Sequence, residues 1–230
     1  MIYVGLILAI GFFIYMAGIT EPPLLKPYLK GRTEQQQDVI KYFWGKGSFP
    51  ATGFLCKRIT DAEYDNLVAN KIKQINLKEK ALAKIGLEAS QVSEIDPVSF
   101  EGWLYGTGVA WAKAGLDHKT RSSAYQISWL FFSDTQVFIY KQEMNFDSDA
   151  KKVSTEEYFY KDITNFSTIT DTIEQNFWDD KSKTFVKKTI DSTDFAITVP
   201  GDKFYCSMQQ NDYSERVVQG MKAKLREKKA

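Results

Sequence analysis

The hydrophobic period of the chain changes at Pro97, and no other feature restricts the fold as much. Upstream, Tyr64, Leu67, Val68, Ile72, Ile75, Leu82 and Ile85 recur at helical spacing, so the sequence predicts one long helix from about residue 61 to 85. Its start is marked twice: Thr60 with Glu63 forms a capping box, and Ile59 with Tyr64 is placed as a hydrophobic staple. Gly86 suits its C-terminal end, and 87–95 reads as one more short helix before Asp96-Pro97. Thr33 and Gln36 predict a similar cap for a helix over 34–43. The lysines of the long helix (71, 73, 78, 80 and 84) read as its solvated face, or alternatively as an anionic-lipid contact.

Beyond Pro97 apolar and polar residues alternate. Strands are expected at 98–105, 109–113, 123–133, 136–145, 153–161, 163–174, 184–190, 194–199 and 203–208. Turn residues such as Ser133-Asp134-Thr135, Asp179-Asp180-Lys181 and Pro200-Gly201 separate them. Short strands at this spacing, rich in aromatic and β-branched residues, indicate an antiparallel sandwich or barrel. A last helix over 213–228, capped by Asp212 and Glu215, carries an apolar stripe of Val217, Val218, Met221 and Leu225. It can close the open end of such a barrel.

Residues 2–20 contain no charged side chain, and Glu21-Pro22-Pro23 ends the run. Nineteen residues at about 1.5 Å each approach the thickness of a bilayer core, so a retained transmembrane anchor over 1–20 is expected. A cleaved signal peptide would call for a basic residue ahead of the run, and a buried core helix for one apolar stripe instead of an all-round apolar surface. Lys26, Lys30 and Arg32 follow the run, which places the N-terminus outside and the bulk of the chain in the cytoplasm. Cys56 and Cys206 match no disulfide framework, in agreement with a reducing compartment. The expected layout is an anchor (1–20), a Pro-rich juxtamembrane linker (21–33), a helical neck (34–96) and a β domain with its C-terminal helix (97–230).

The strand order with a terminal helix resembles pleckstrin-homology-like (PH-like) domains. Within it, Tyr158-Phe159-Tyr160-Lys161-Asp162-Ile163-Thr164 is similar to a segment found between the middle strands of bacterial members. With its anchor and helical region, the chain resembles membrane-anchored bacterial proteins that carry such a domain. The resemblance implies an α+β fold, with a PH-like β-barrel or sandwich closed by a C-terminal helix. It also implies a binding platform in place of a chemistry.

The residues themselves agree that no enzyme is expected. His118 is the only histidine, and Asp117, Ser122 and Ser123 beside it are too close in sequence to converge as a hydrolase triad. One histidine and two distant cysteines supply no zinc set, and Asp147-Ser148-Asp149 continues into Lys151 and Lys152, with no glycine at the sixth position of a calcium loop. Gly45-Lys46-Gly47-Ser48 lacks the spacing of a phosphate loop, and Gly106-Thr107-Gly108 lacks the third glycine of a dinucleotide site. Trp103, Trp111, Trp129 and Trp178 could stack bases or sugars, although Trp129 stands in an alternating strand as a core residue would. Neither a cofactor nor a metal is expected.

Charge is more informative. The chain carries 30 Lys+Arg and 29 Asp+Glu, net +1, which argues against nucleic acid as a partner. Residues 97–212 hold 12 Lys+Arg against 17 Asp+Glu, whereas 213–230 hold Arg216, Lys222, Lys224, Arg226, Lys228 and Lys229 against Glu215 and Glu227. These six basic residues are the candidate contact for an acidic partner or anionic lipid, or else cations suited to the dipole of their own helix. The expected function is a membrane-anchored scaffold engaging a protein partner or a membrane complex. A lipid- or ligand-sensing domain is the alternative.

Overall fold

The computed structural model of the protein describes residues 2–19, 25–44, 59–92, 95–106, 110–179 and 184–229. The helices α1 (Ile2–Ile19), α2 (Lys26–Leu29), α3 (Glu34–Phe43), α4 (Asp61–Ile75) and α5 (Leu77–Ile85) come first. Then follow β1 (Ile95–Leu104), β2 (Ala112–Ala114), β3 (Thr120–Ser122), β4 (Ala124–Phe132), β5 (Gln136–Asn145), β6 (Lys151–Phe159), β7 (Asn165–Asp179), β8 (Thr184–Val199) and β9 (Asp202–Ser207). Helix α6 (Asp212–Lys229) ends the chain.

Local chemistry sets the helix ends. At α3 and α4 both halves of the capping box form: Thr33 and Thr60 accept from the backbone N–H three residues on, and Gln36 and Glu63 return the bond. The long helix predicted over 61–85 is divided, because Asn76 takes the left-handed conformation (φ 46°) and donates to the Glu79 carboxylate. The helix predicted over 87–95 is only a 3₁₀ turn, Ala89–Val92, since Ile95 already belongs to β1.

The transmembrane anchor expected at the N-terminus is corrected. Among the described residues, no helix is long and apolar enough to cross a membrane. Helix α1 has 18 residues, about 27 Å of helix where about 20 residues are needed to span roughly 30 Å of hydrocarbon. The single-pass topology and the cell-membrane localisation fall with it. The side chains of Ile7, Leu8, Phe12 and Phe13 are exposed.

The strands build two sheets. Sheet A has the order β1-β4-β5-β6 and is antiparallel throughout; sheet B has the order β3-β2-β7-β8-β9, with one parallel contact between Ala112 and Phe177. Among the described residues the two sheets form no closed barrel, which corrects the barrel offered beside the sandwich as the expected fold. After β6, the N–H groups of Asp162 and Ile163 turn back onto the Phe159 carbonyl, and the chain leaves sheet A to begin sheet B in another layer. At the opposite side β1 and the end of β9 form no ladder among the described residues but are joined by two bonds, Gln209 N to Glu101 O (2.8 Å) just beyond β9 and Ser207 Oγ to Trp103 O (3.2 Å). The strands predicted at 184–190 and 194–199 are one. Asp191-Ser192-Thr193 continues the ladder, with Thr172 donating to Asp191 (2.7 Å) and Thr170 bonded to Thr193 (3.1 Å).

Sheet A is covered on both faces, so β4 is buried at all but one position and reads as a nearly continuous apolar run. On one face Phe100, Leu130, Ile139, Phe166, Phe195 and Ile197 fill the space between the sheets, and Val218, Met221 and Leu225 of α6 complete that core. On the other, Tyr64, Val68, Leu77 and Ala81 of α4 and α5 pack on Phe131, Phe138 and Tyr140. The helical segment therefore lies on the sheet and shares a core with it. Each large side chain so buried contributes about 1.5–3 kcal/mol of transfer free energy.

Candidate functional site

Helix α6 begins at a reciprocal pair that the sequence reading placed one residue too late: Ser214 N donates to Asn211 Oδ1 (2.9 Å) and Asn211 N to Ser214 Oγ (3.0 Å). Asp212 and Glu215 instead stand in the first turn, where their charge favours the helix dipole. Ser214, Val218, Met221 and Leu225 recur on one face and are buried, which fixes the rotation of the helix. That rotation leaves a cleft of about 390 Å³ between α6 and the ends of the sheets. Val98, Phe132, Phe166, Val217 and Met221 line it, with Tyr160 from the β6–β7 connection; Lys224 and Glu227 stand at its rim. Gly220 lies in its wall, with no atom within 4 Å of where a Cβ would be.

The six predicted basic residues are not brought to one place. Steps of about 100° per residue put Lys224 and Lys228 on the flank beside the cleft, and Lys222 with Arg226 on the other. Arg216 and Arg226 are exposed, Lys224 pairs with Glu227 at 3.0 Å, and Lys228 Nζ stands 5.9 Å from the centre of the Tyr160 ring. The side chain of Lys229 lies outside the described residues. Sequence reading found the apolar stripe of α6 and the lysines but missed the cleft. Its walls come from four separate elements, and isolated apolar residues at strand ends give no signal.

A second polar cluster is a clamp. The buried Arg121 guanidinium donates from Nε and Nη2 to Asp65 (both 2.7 Å), from Nη1 and Nη2 to Asp117 (both 2.9 Å), and from Nη1 to Lys119 O (3.3 Å). These bonds hold the Asp117 carboxyl well below its ordinary pKa and the Arg121 pKa above its own. Burial raises Asp61, but bonds from Tyr42 OH (2.8 Å) and Leu116 N–H (2.7 Å) outweigh it and lower the carboxyl. All three guanidinium nitrogens are occupied, so the cluster joins α4 to the β2–β3 hairpin and offers no donor to a ligand. Asp117 is thereby taken from any triad. Ser122 and Ser123 are buried with their hydroxyls bonded to Leu104 O and Trp111 N, and His118 lies at the hairpin tip with φ 61°.

Among the described residues no group of three or more His, Cys, Asp or Glu is arranged to hold a metal ion. Cys206 is buried in the core, which pushes its thiol up to about 12. Trp103 stacks on Tyr64, and Trp129 packs partly buried on the helical side beneath Lys78. The glycine-rich loop at 45–48, Cys56, most of Gly106-Thr107-Gly108 and the Trp178 side chain lie outside the described residues. No protein-family model, curated protein or solved structure matches this chain.

Proposed function

We propose that the protein is a binding module that receives a segment of a partner protein in the cleft beside α6. The observation that carries this reading is the apolar lining of that cleft, open to solvent and set between a basic helix and a sheet. Its volume of about 390 Å³ falls at the small end of the ligand-site range, about 300–1,000 Å³, which suits one or two apolar side chains of a segment. Two further features support a peptide as occupant. Lys224 and Lys228 flank the cleft, favouring acidic residues next to the apolar anchor. Strand β7, which packs against α6, pairs with β8 on one side and, among the described residues, meets β2 on the other only at Phe177, so the outer edge of residues 165–175 carries no ladder there and can take an extended segment.

The test uses the full chain and fluorescein-labelled synthetic peptides that place one Phe or Leu within a run of Glu. Saturable binding is expected, lost in Gly220→Trp, which fills the cleft, and roughly tenfold weaker in Lys224→Glu/Lys228→Glu. Binding to anionic phosphatidylglycerol vesicles, with no peptide bound, would overturn the reading in favour of a lipid contact. Equal peptide binding by Gly220→Trp would remove the cleft as its site.

A further inference from the structure

Strand β6 is the outer strand of sheet A, with β5 on one side and, among the described residues, no ladder on the other. Its nine residues are mostly exposed on both faces, and among the described residues no hydrogen bond occupies its outer edge over residues 151–157. An open edge of this length is a template for another strand, and soluble folds usually blunt it with scattered charge. Here the charges are ordered instead. The sequence Lys151-Lys152-Val153-Ser154-Thr155-Glu156-Glu157 begins with two cations and ends with two anions, spaced evenly about Ser154.

From this pattern we infer that β6 recognises β6 of a second copy of the chain, forming a two-fold dimer with one continuous eight-stranded sheet. With the axis at Ser154, Lys151 stands across from Glu157 of the second copy and Lys152 across from Glu156. Symmetry repeats both, so four opposite-charge pairs form at cross-strand distance, and Val153 faces Thr155. Other arrangements lose them. A shift of the axis to Val153 sets Glu157 against Asp149, a shift to Thr155 leaves no Lys opposite a Glu, and parallel pairing puts like charges together. Alternation is preserved, because residues paired about Ser154 point to the same face.

On the helical face the neighbouring layer leaves room. Helix α5 lies over β5, so the two copies of α5 would stand about three strand spacings apart, roughly 14 Å, beyond the 8–10 Å of packed helices. On the other face β9 of sheet B packs against β1 and β4 and reaches β6 through Phe204, whose ring centre stands 6.4 Å from that of Tyr158, while the outer edge of β6 stays unpaired among the described residues. The partly exposed Val153 is covered on pairing.

Sedimentation of the full chain at low salt should give a dimer that weakens as salt rises. Lys151→Glu/Lys152→Glu and Glu156→Lys/Glu157→Lys should each weaken self-association roughly tenfold or more, and an equimolar mixture of the two should restore it as a heterodimer. Ser154→Cys, at the axis, should cross-link two copies on oxidation, whereas Thr155→Cys, displaced from the axis, should not. A monomeric wild-type chain at low salt overturns the inference. So does a dimer that both charge variants form as tightly as wild type, since association would then run through another surface such as α1.

Discussion

Arg121 and Asp65 meet through two parallel bonds of 2.7 Å, Nε to Oδ1 and Nη2 to Oδ2. Arg121 is 3% exposed and Asp65 48%, so the cation belongs to the core while the anion remains in contact with water. Replacing Arg121 with Leu removes five donated bonds and leaves Asp65 and Asp117 without their partner. The loss should be about 2–3 kcal/mol, at the low end for a broken buried pair because water screens the carboxylates. Urea unfolding measures it; a change under about 0.5 kcal/mol, as for an ordinary surface substitution, would contradict the clamp.

The same cluster sets an acid limit. Asp117 is lowered by its bonds from Arg121, and Asp61 is lowered because bonds from Tyr42 and Leu116 outweigh burial. A carboxyl depressed in the folded state binds its proton more readily when unfolded, so its contribution is present above the unfolded value, about 4, and is lost as pH falls below it. Stability should therefore decline on acidification below about pH 4, and Arg121→Leu should decline less. Unfolding midpoints across pH 2–7 compare the two chains.

Asp194 has the opposite sign. Burial raises its pKa, and Asp171 adds to this while Lys141 opposes it. A carboxyl raised in the folded state costs stability whenever it is charged, so Asp194→Asn should unfold at a higher temperature than wild type at neutral pH. The gain should disappear as pH falls through the raised folded-state pKa. A lower melting temperature at neutral pH would show that the carboxylate makes a favourable contact.

Patterning revealed the elements with one buried face and local caps. Thr33–Gln36 and Thr60–Glu63 were legible because a capping box lies within four residues. The division at Asn76 was not, since a left-handed asparagine keeps the helical period on either side of it. Strand β8 was cut in two because Asp191 and Ser192 look like a turn, although exposure on both faces lets polar residues continue a ladder. The end of α1 mattered more: a helix of 18 residues differs little in sequence from a membrane span of about 20. The cleft was illegible, because Val98, Phe132 and Phe166 are ordinary core residues until α6 is laid across them.

At Gly102, β1 of sheet A lies close against the end of β9 of sheet B. A Cβ at that position would stand 2.5 Å from Ser207 Oγ, 3.1 Å from Met208 N and 3.2 Å from Ser207 C. The hydroxyl is tied to Trp103 O and the other two atoms are backbone, so none can yield without moving β9. Gly102→Ala should therefore cost about 1–3 kcal/mol by overpacking, measured by thermal or urea unfolding. An unchanged midpoint would mean that the sheets separate freely at this crossing.

Gly220 presents the reverse case. It sits inside α6, where glycine is about 1 kcal/mol less favourable than alanine because it loses more backbone freedom on folding. Nothing lies within 4 Å of a Cβ built there, so alanine meets no obstacle. Gly220→Ala should raise stability by about 0.5–1 kcal/mol in urea unfolding. A single methyl group does not fill a cleft of about 390 Å³, so affinity for the acidic peptides should stay unchanged. Only the bulky Gly220→Trp should abolish it. A loss of binding in both variants would trace to the helix backbone instead of the space beside it, and would move the site away from this wall of the cleft.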